Sequence, residues 1–260
     1  MRRQNRGREL GVFLLIYQLM SNNEHIPPVT LGVIILQIVS FLGFIQALDP
    51  YFAGYSCILP SAVWFGHEWH RLWKAVLVHA DDMHLYYNMI SFMWKGRRLE
   101  RQFGPAYFGW MLAVFSVLSG VVLVGISILL ELVLNQHQFH LMNQCAVGFS
   151  AVIFALKVVC NEYFPYADHR VMGLFPIPSR YACWAELILI QLLVPRASFV
   201  GHLSGILTGL MFVRGPLKDV MDIPFRFIRE QHQRRPNARF HGGGVPLGGG
   251  PNRADWRYNQ

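Results

Sequence analysis

Two stretches limit what this chain can fold into. Val29–Ala47 carries no charge, and Phe108–Leu134 carries only Glu131 near its far end. Each is long enough to cross a hydrocarbon layer as a helix. Ser150–Val159, Tyr181–Val194 and Ala197–Val213 are shorter apolar blocks. A soluble chain of 260 residues, 53% of them hydrophobic, would disperse its apolar positions around one core. Here they are gathered into blocks, which predicts an all-α, polytopic membrane protein.

The net charge of +8 gathers at the two ends. Arg2, Arg3, Arg6 and Arg8 precede the first apolar stretch, and nine lysines and arginines from Arg214 to Arg257 follow the last. Basic flanks mark the cytoplasmic side of a span, so both ends are expected in the cytosol and the span count should be even. The tail lacks basic residues interleaved with stacking aromatics, which argues against nucleic acid as a partner. Leu10–Met20 follows basic residues but has no cleavage signal after it, and reads as an interfacial helix. The organisation expected is therefore 1–28 as N-terminus and interfacial helix, 29–214 as a six-helix core, and 215–260 as a cytosolic tail. The tail is basic and Gly-rich with no apolar period in its second half, for which disorder is the default.

Six spans follow: Val29–Ala47, Met83–Leu99, Phe108–Leu134, one starting near Ala146 and leaving by Lys157, Tyr181–Val194 and Ala197–Val213. The segment between the first two holds Trp64, Trp69 and Trp73, suited to a membrane interface. The cysteines form no Cys-x-x-Cys pair, which argues against structural zinc, and no metal or other cofactor is expected. Cys57 and Cys145 could share a lumenal compartment and pair there.

Polar groups inside spans are costly and mark cavities or bundle interiors. Ser150 lies near the start of the fourth block, two residues after Gly148. His202 lies near the start of the sixth, beside Gly201 and on a helix whose Gly201, Gly205 and Gly209 recur every four residues. Such a glycine face lets another backbone approach closely. His84 and Asn88 sit one turn apart in the second, after Asp81 and Asp82, which can cap its start. All three spans enter from the lumen, so Ser150 and His202, each about five residues in, fall roughly 5–10 Å deep, with His84 and Asn88 at a similar level.

A serine hydroxyl needs a base, and His202 is the candidate. Asn88, His84 and the backbone N–H of Ser150 are candidate oxyanion donors. No carboxylate is placed to orient His202, so a dyad is expected, with the Phe154 ring packing under the imidazole. Each residue has a bland alternative. Ser150 could bond back to its own helix, His84 and Asn88 could only tie neighbouring helices together, and Phe154 could be ordinary packing.

Taken together, His84 and Asn88, Gly148-Phe-Ser150 and Gly201-His202 resemble the rhomboid intramembrane serine proteases, with these motifs in order on the second, fourth and sixth spans. Trp69-His-Arg71 and Glu100-Arg101 look like the family's Trp–Arg and Glu–Arg motifs, so Arg71 and Glu100 enter as supporting residues with Gly148, Phe154 and Gly201. Ala151 stands where most of the family has Gly. The resemblance spans residues 8–215 and implies a six-helix bundle that cleaves transmembrane proteins within the lipid. Ile26–Thr30, His79–Asp82 and Cys145–Ser150 look like the family's endoplasmic-reticulum branch, which implies cleavage of unstable membrane proteins linked to their degradation.

In the tail, Phe240-x-Gly242-x-Gly244-x-x-Leu247 resembles the box by which derlins bind the valosin-containing AAA ATPase, with Phe240 and Leu247 filling apolar pockets. The competing reading is a catalytically silent, derlin-like adaptor that recruits this ATPase through residues 240–248. A small transporter is disfavoured, since there is no repeated half and no charged site at the midplane.

Overall fold

Proline and glycine set the ends of the first long helices. In the computed structural model, which describes residues 10–22, 24–45, 56–134, 141–165, 170–171, 175–176 and 178–234, Pro28 opens α2 (Pro28–Phe41). Pro suits a first turn because its missing N–H would have no helical partner. The free N–H groups of Val29 and Thr30 donate to the Glu100 carboxylate at 2.9 and 2.7 Å. Glu100 belongs to α5 (Asp82–Phe103), whose start is capped by Asp81 accepting from the His84 N–H at 2.7 Å. It ends at Gly104, φ +80°, and α6 (Pro105–Leu134) follows at once.

Ten α-helices are present among the described residues. Besides those named, they are α1 (Leu10–Ser21), α3 (Pro60–Trp64), α4 (Arg71–Lys74), α7 (Ser150–Tyr163), α8 (Ser179–Leu193), α9 (Phe199–Val213) and α10 (Leu217–Arg234). The only ladder among those residues is β1 (Arg170–Val171) antiparallel to β2 (Phe175–Pro176). The chain divides into two units, residues 1–221 and 222–260. Within the first, α7 lies at the centre, against α5, α6, α8 and α9. Leu85, Met89 and Phe92 of α5, Phe115 of α6 and Leu156 of α7 are fully buried there. Among the described residues one helix, Pro105–Val133, is long and apolar enough to cross a membrane by length and composition.

Several expected boundaries move. The first span was expected to reach Ala47, but α2 stops at Phe41 and the chain turns through Gly43 at φ +79°. α5 does not stop at Leu99, because its basic cluster finds partners within the bundle. Arg97 pairs with Glu24, and the Arg101 guanidinium donates to the His25 carbonyl at 3.0 Å. Nor does Lys157 mark the end of α7, which runs on to Tyr163. Its ammonium is paired with Glu186 of α8, and a paired charge can stay inside. α1 lies lengthwise along α5, with Val12 and Leu15 in the main core.

Ser150 is the first residue of α7 rather than some five residues into it. Residues before it are held extended: the Ile58 N–H donates to the Ala146 carbonyl at 2.8 Å, and the Ala146 N–H returns to Ile58 at 3.0 Å. Cys57 and Cys145 form a disulfide beside this pair, with Cα atoms 5.5 Å apart. It closes a sequence separation of 88 residues, for which chain entropy gives about 4–5 kcal/mol. Reduction by a dithiol should therefore lower the melting temperature by roughly 8–20 °C in detergent. An unchanged melting temperature would show that the backbone pairing alone holds the segment.

Candidate active site

The site is assembled from three helix starts. Gly148 has φ +108°, open to glycine at little cost, and its N–H donates to the Ala75 carbonyl at 2.9 Å. That sharp turn ends the extended segment and presents Ser150 at the first position of α7, where its N–H has no helical partner. At the start of α9 the Ser198 hydroxyl accepts from the Gly201 N–H at 3.1 Å and fixes the turn that carries His202.

His202 Nε2 lies 3.1 Å from Ser150 Oγ. The Phe154 ring sits under the imidazole, centroids 4.7 Å apart and planes tilted by 32°. The other ring nitrogen, Nδ1, is buried and meets no hydrogen-bond partner among the described residues. No carboxylate among the described residues takes it, and the ring is held by its packing on Phe154.

The approach of α9 to α7 rests on two of the three glycines. A β carbon on Gly205 would lie 2.8 Å from the Ala151 carbonyl carbon, and one on Gly209 would lie 2.7 Å from the Ala155 carbonyl oxygen. Gly201 does not share this role. It faces Ser198 Oγ at 3.1 Å and Leu123 Cδ1 at 3.7 Å.

His84 and Asn88 come together in front of Gly148. A β carbon there would lie 3.0 Å from His84 Nε2 and 3.5 Å from Asn88 Nδ2. The Ala80 N–H donates to His84 Nδ1 at 3.4 Å, so a neutral ring carries its proton on Nε2, the atom nearest Gly148. Asn88 Nδ2 is buried with no partner among the described residues. Two nitrogens that can donate thus lie side by side at Gly148, two residues before Ser150.

His79, ahead of α5, packs edge-on against His84 with centroids 5.2 Å apart. Burial, with His84 close by, lowers its pKa to about 3, so it stays neutral.

The supporting residues act at different distances. Arg71 is buried, pairs with Glu68 at 2.7 Å and donates to the Cys57 carbonyl at 3.1 Å. It therefore steadies the cysteine tied to Cys145, five positions before Ser150. Glu100 lies at the other end of α5 and caps α2; the structure does not bring it to the site. Phe240, Gly242, Gly244 and Leu247 lie outside the described residues. The hooks on Ala75 and Ile58 had no sequence signal beyond the two cysteines, because both are backbone groups.

The rhomboid domain family matches residues 66–216, which include Arg71, His84, Asn88, Ser150 and His202. The chain belongs to the rhomboid family. It is similar to the mouse rhomboid-related protein 4, at 44% identity over 225 residues, 85% of this chain and 68% of that one. The human rhomboid-related protein 4 is 43% identical over 223 residues, with the same coverage. Rhomboid-type serine protease 2 of Debaryomyces hansenii is 26% identical over 208 residues, 74% of this chain and 65% of that protein.

Proposed function

We propose that the chain is an intramembrane serine endopeptidase with Ser150 as nucleophile and His202 as base. The observation that carries this reading is the 3.1 Å contact between Ser150 Oγ and His202 Nε2. His202 takes the hydroxyl proton as Oγ bonds to the carbonyl carbon of the substrate peptide. The oxyanion that forms is met by the Ser150 N–H, His84 Nε2–H and Asn88 Nδ2–H, each such donor being worth about 3 kcal/mol of barrier. His202 then passes the proton to the leaving amine. Water, deprotonated by the same imidazole, releases the acyl group and restores Ser150.

The bundle crosses the membrane through α2, α5, α6, α7, α8 and α9. The site lies below the surface at which α5, α7 and α9 begin, where transmembrane or juxtamembrane peptide bonds are within reach. The membrane is that of the endoplasmic reticulum, and the substrates are membrane proteins with unstable spans destined for degradation. This placement is supported by the likeness to the two mammalian relatives. Residues 240–248 would deliver the products to the valosin-containing AAA ATPase.

A fluorophosphonate probe on the purified protein tests the chemistry. The adduct should map to Ser150 by mass spectrometry and be absent from Ser150→Ala. A folded protein that takes no label at Ser150 would leave the non-catalytic adaptor as the function.

A further inference from the structure

The chain before α2 follows α5 from one end to the other. The Gly11 N–H donates to Asp82 Oδ2 at 2.8 Å, both buried. Asn22 Nδ2 reaches Met93 Sδ at 3.6 Å. Glu24 then pairs with Arg97, the His25 carbonyl accepts from Arg101 at 3.0 Å, and the Val29 N–H meets Glu100 at 2.9 Å. From 11 to 22 and from 82 to 93 the advance is the same on both segments, about 16 Å of helix rise. The two helices therefore run side by side in the same direction. The contact at the start is close: a β carbon on Gly11 would lie 2.5 Å from the Asp82 carbonyl carbon and 3.0 Å from the Met83 nitrogen.

The outer face of α1 is apolar. Leu10, Phe13, Ile16, Tyr17 and Met20 are exposed, Met20 by 82% and Phe13 by 67%. Gly11, Val12 and Leu15 fill the inner face. A helix lying in a membrane surface needs a charged face, and α1 has no charge at all. A helix apolar on every side belongs in a core or in lipid.

We propose that residues 10–27 are a seventh membrane crossing, with α1 entering from the side on which α7 begins and its outer face covered by lipid chains. This rests on α5 crossing the membrane. The contacts with α5 run from Asp82 to Arg101, about 28 Å of helix rise, close to a hydrocarbon core of about 30 Å. It replaces the interfacial helix expected from the sequence, and puts the start of α1 on the side opposite the end of α9. Arg2, Arg3, Arg6 and Arg8 give the reverse orientation by the positive-inside rule, which is a bias of loops. Lifting α1 away would strip the buried Asp82 carboxylate of the Gly11 N–H, a direct cost of polar burial.

Cysteine labelling in sealed microsomes decides between them. In a Cys160→Ala, Cys183→Ala background, Leu10→Cys is compared with Trp64→Cys on the site side and Arg214→Cys at the far end of α9. With a membrane-impermeant maleimide, Leu10→Cys should react under the same conditions as Trp64→Cys. Reaction together with Arg214→Cys would overturn the proposal. If Trp64→Cys and Arg214→Cys react from one side, the membrane crossing of the bundle fails, and this inference with it. A nitroxide at Tyr17 should be relaxed more by oxygen than by a water-soluble nickel chelate; the reverse order would place α1 in water and overturn the lipid face.

Discussion

Ser150→Ala and His202→Ala should each reduce cleavage of a co-expressed single-span membrane protein to background, a loss on the order of 10⁴-fold or more. The double variant should be no worse than either single one. The hydroxyl is inert without a base, and the base has nothing to deprotonate without the hydroxyl, so the two act as a unit. Folding is affected much less. Ser150→Ala gives up one hydrogen bond, about 1 kcal/mol. His202→Ala also empties the space over Phe154, and should cost about 2–3 kcal/mol by analogy with other large-to-small changes at buried positions. Reporter cleavage and melting temperature, measured on the same preparations, separate chemistry from folding. Wild-type cleavage by either single variant would rule out the dyad.

The meeting of Ser150 and His202 was legible because each lies near the start of an apolar block as its one serine or one histidine, and glycines beside them announced a close contact. Spacing alone could not say which glycines make that contact. Gly205 and Gly209 do, while Gly201 turns toward Ser198 and Leu123. The start of α7 was misjudged because residues 145–149 are as apolar as the helix that follows. What keeps the chain out of the helix there is the pairing of Ala146 with Ile58, distant in sequence and joined through backbone groups that carry no side-chain signature, followed by the turn at Gly148. Lys157 looked like a helix end because its partner Glu186 sits in another apolar block, and an ion pair between helices leaves no periodic trace. The direction of α1 was hidden for a related reason. Its place along α5 is set by a backbone N–H and Asp82, some seventy positions away, and neither leaves a pattern in the sequence near it.

Gly205→Ala should cut cleavage about 100-fold, although a single methyl group is added and neither Ser150 nor His202 is touched. The new carbon would lie 2.8 Å from the Ala151 carbonyl carbon and 3.0 Å from its Cα. These are backbone atoms of the residue next to Ser150, and a helix backbone cannot rotate out of the way as a side chain can. The two helices must part by about 1 Å to restore ordinary contact between carbons. The hydrogen bond of 3.1 Å would then stretch toward 4 Å, beyond useful geometry. A displacement of that size in a reacting pair costs about 100-fold, and the overpacking itself costs about 1–3 kcal/mol of stability. Two companion changes separate the causes. Gly209→Ala meets Val158 Cβ and the Ala155 carbonyl oxygen, each at 2.7 Å, one turn farther from the site. It should lose similar stability but keep more activity. Gly201→Ala meets the Ser198 hydroxyl at 3.1 Å, the cap of α9, and should cost about 1 kcal/mol of stability while keeping more activity than Gly205→Ala. Initial rates on the single-span reporter, read beside melting temperatures, give the order. A Gly201 variant that loses more activity than the Gly205 variant would mean that the α7–α9 approach does not set the distance between hydroxyl and imidazole.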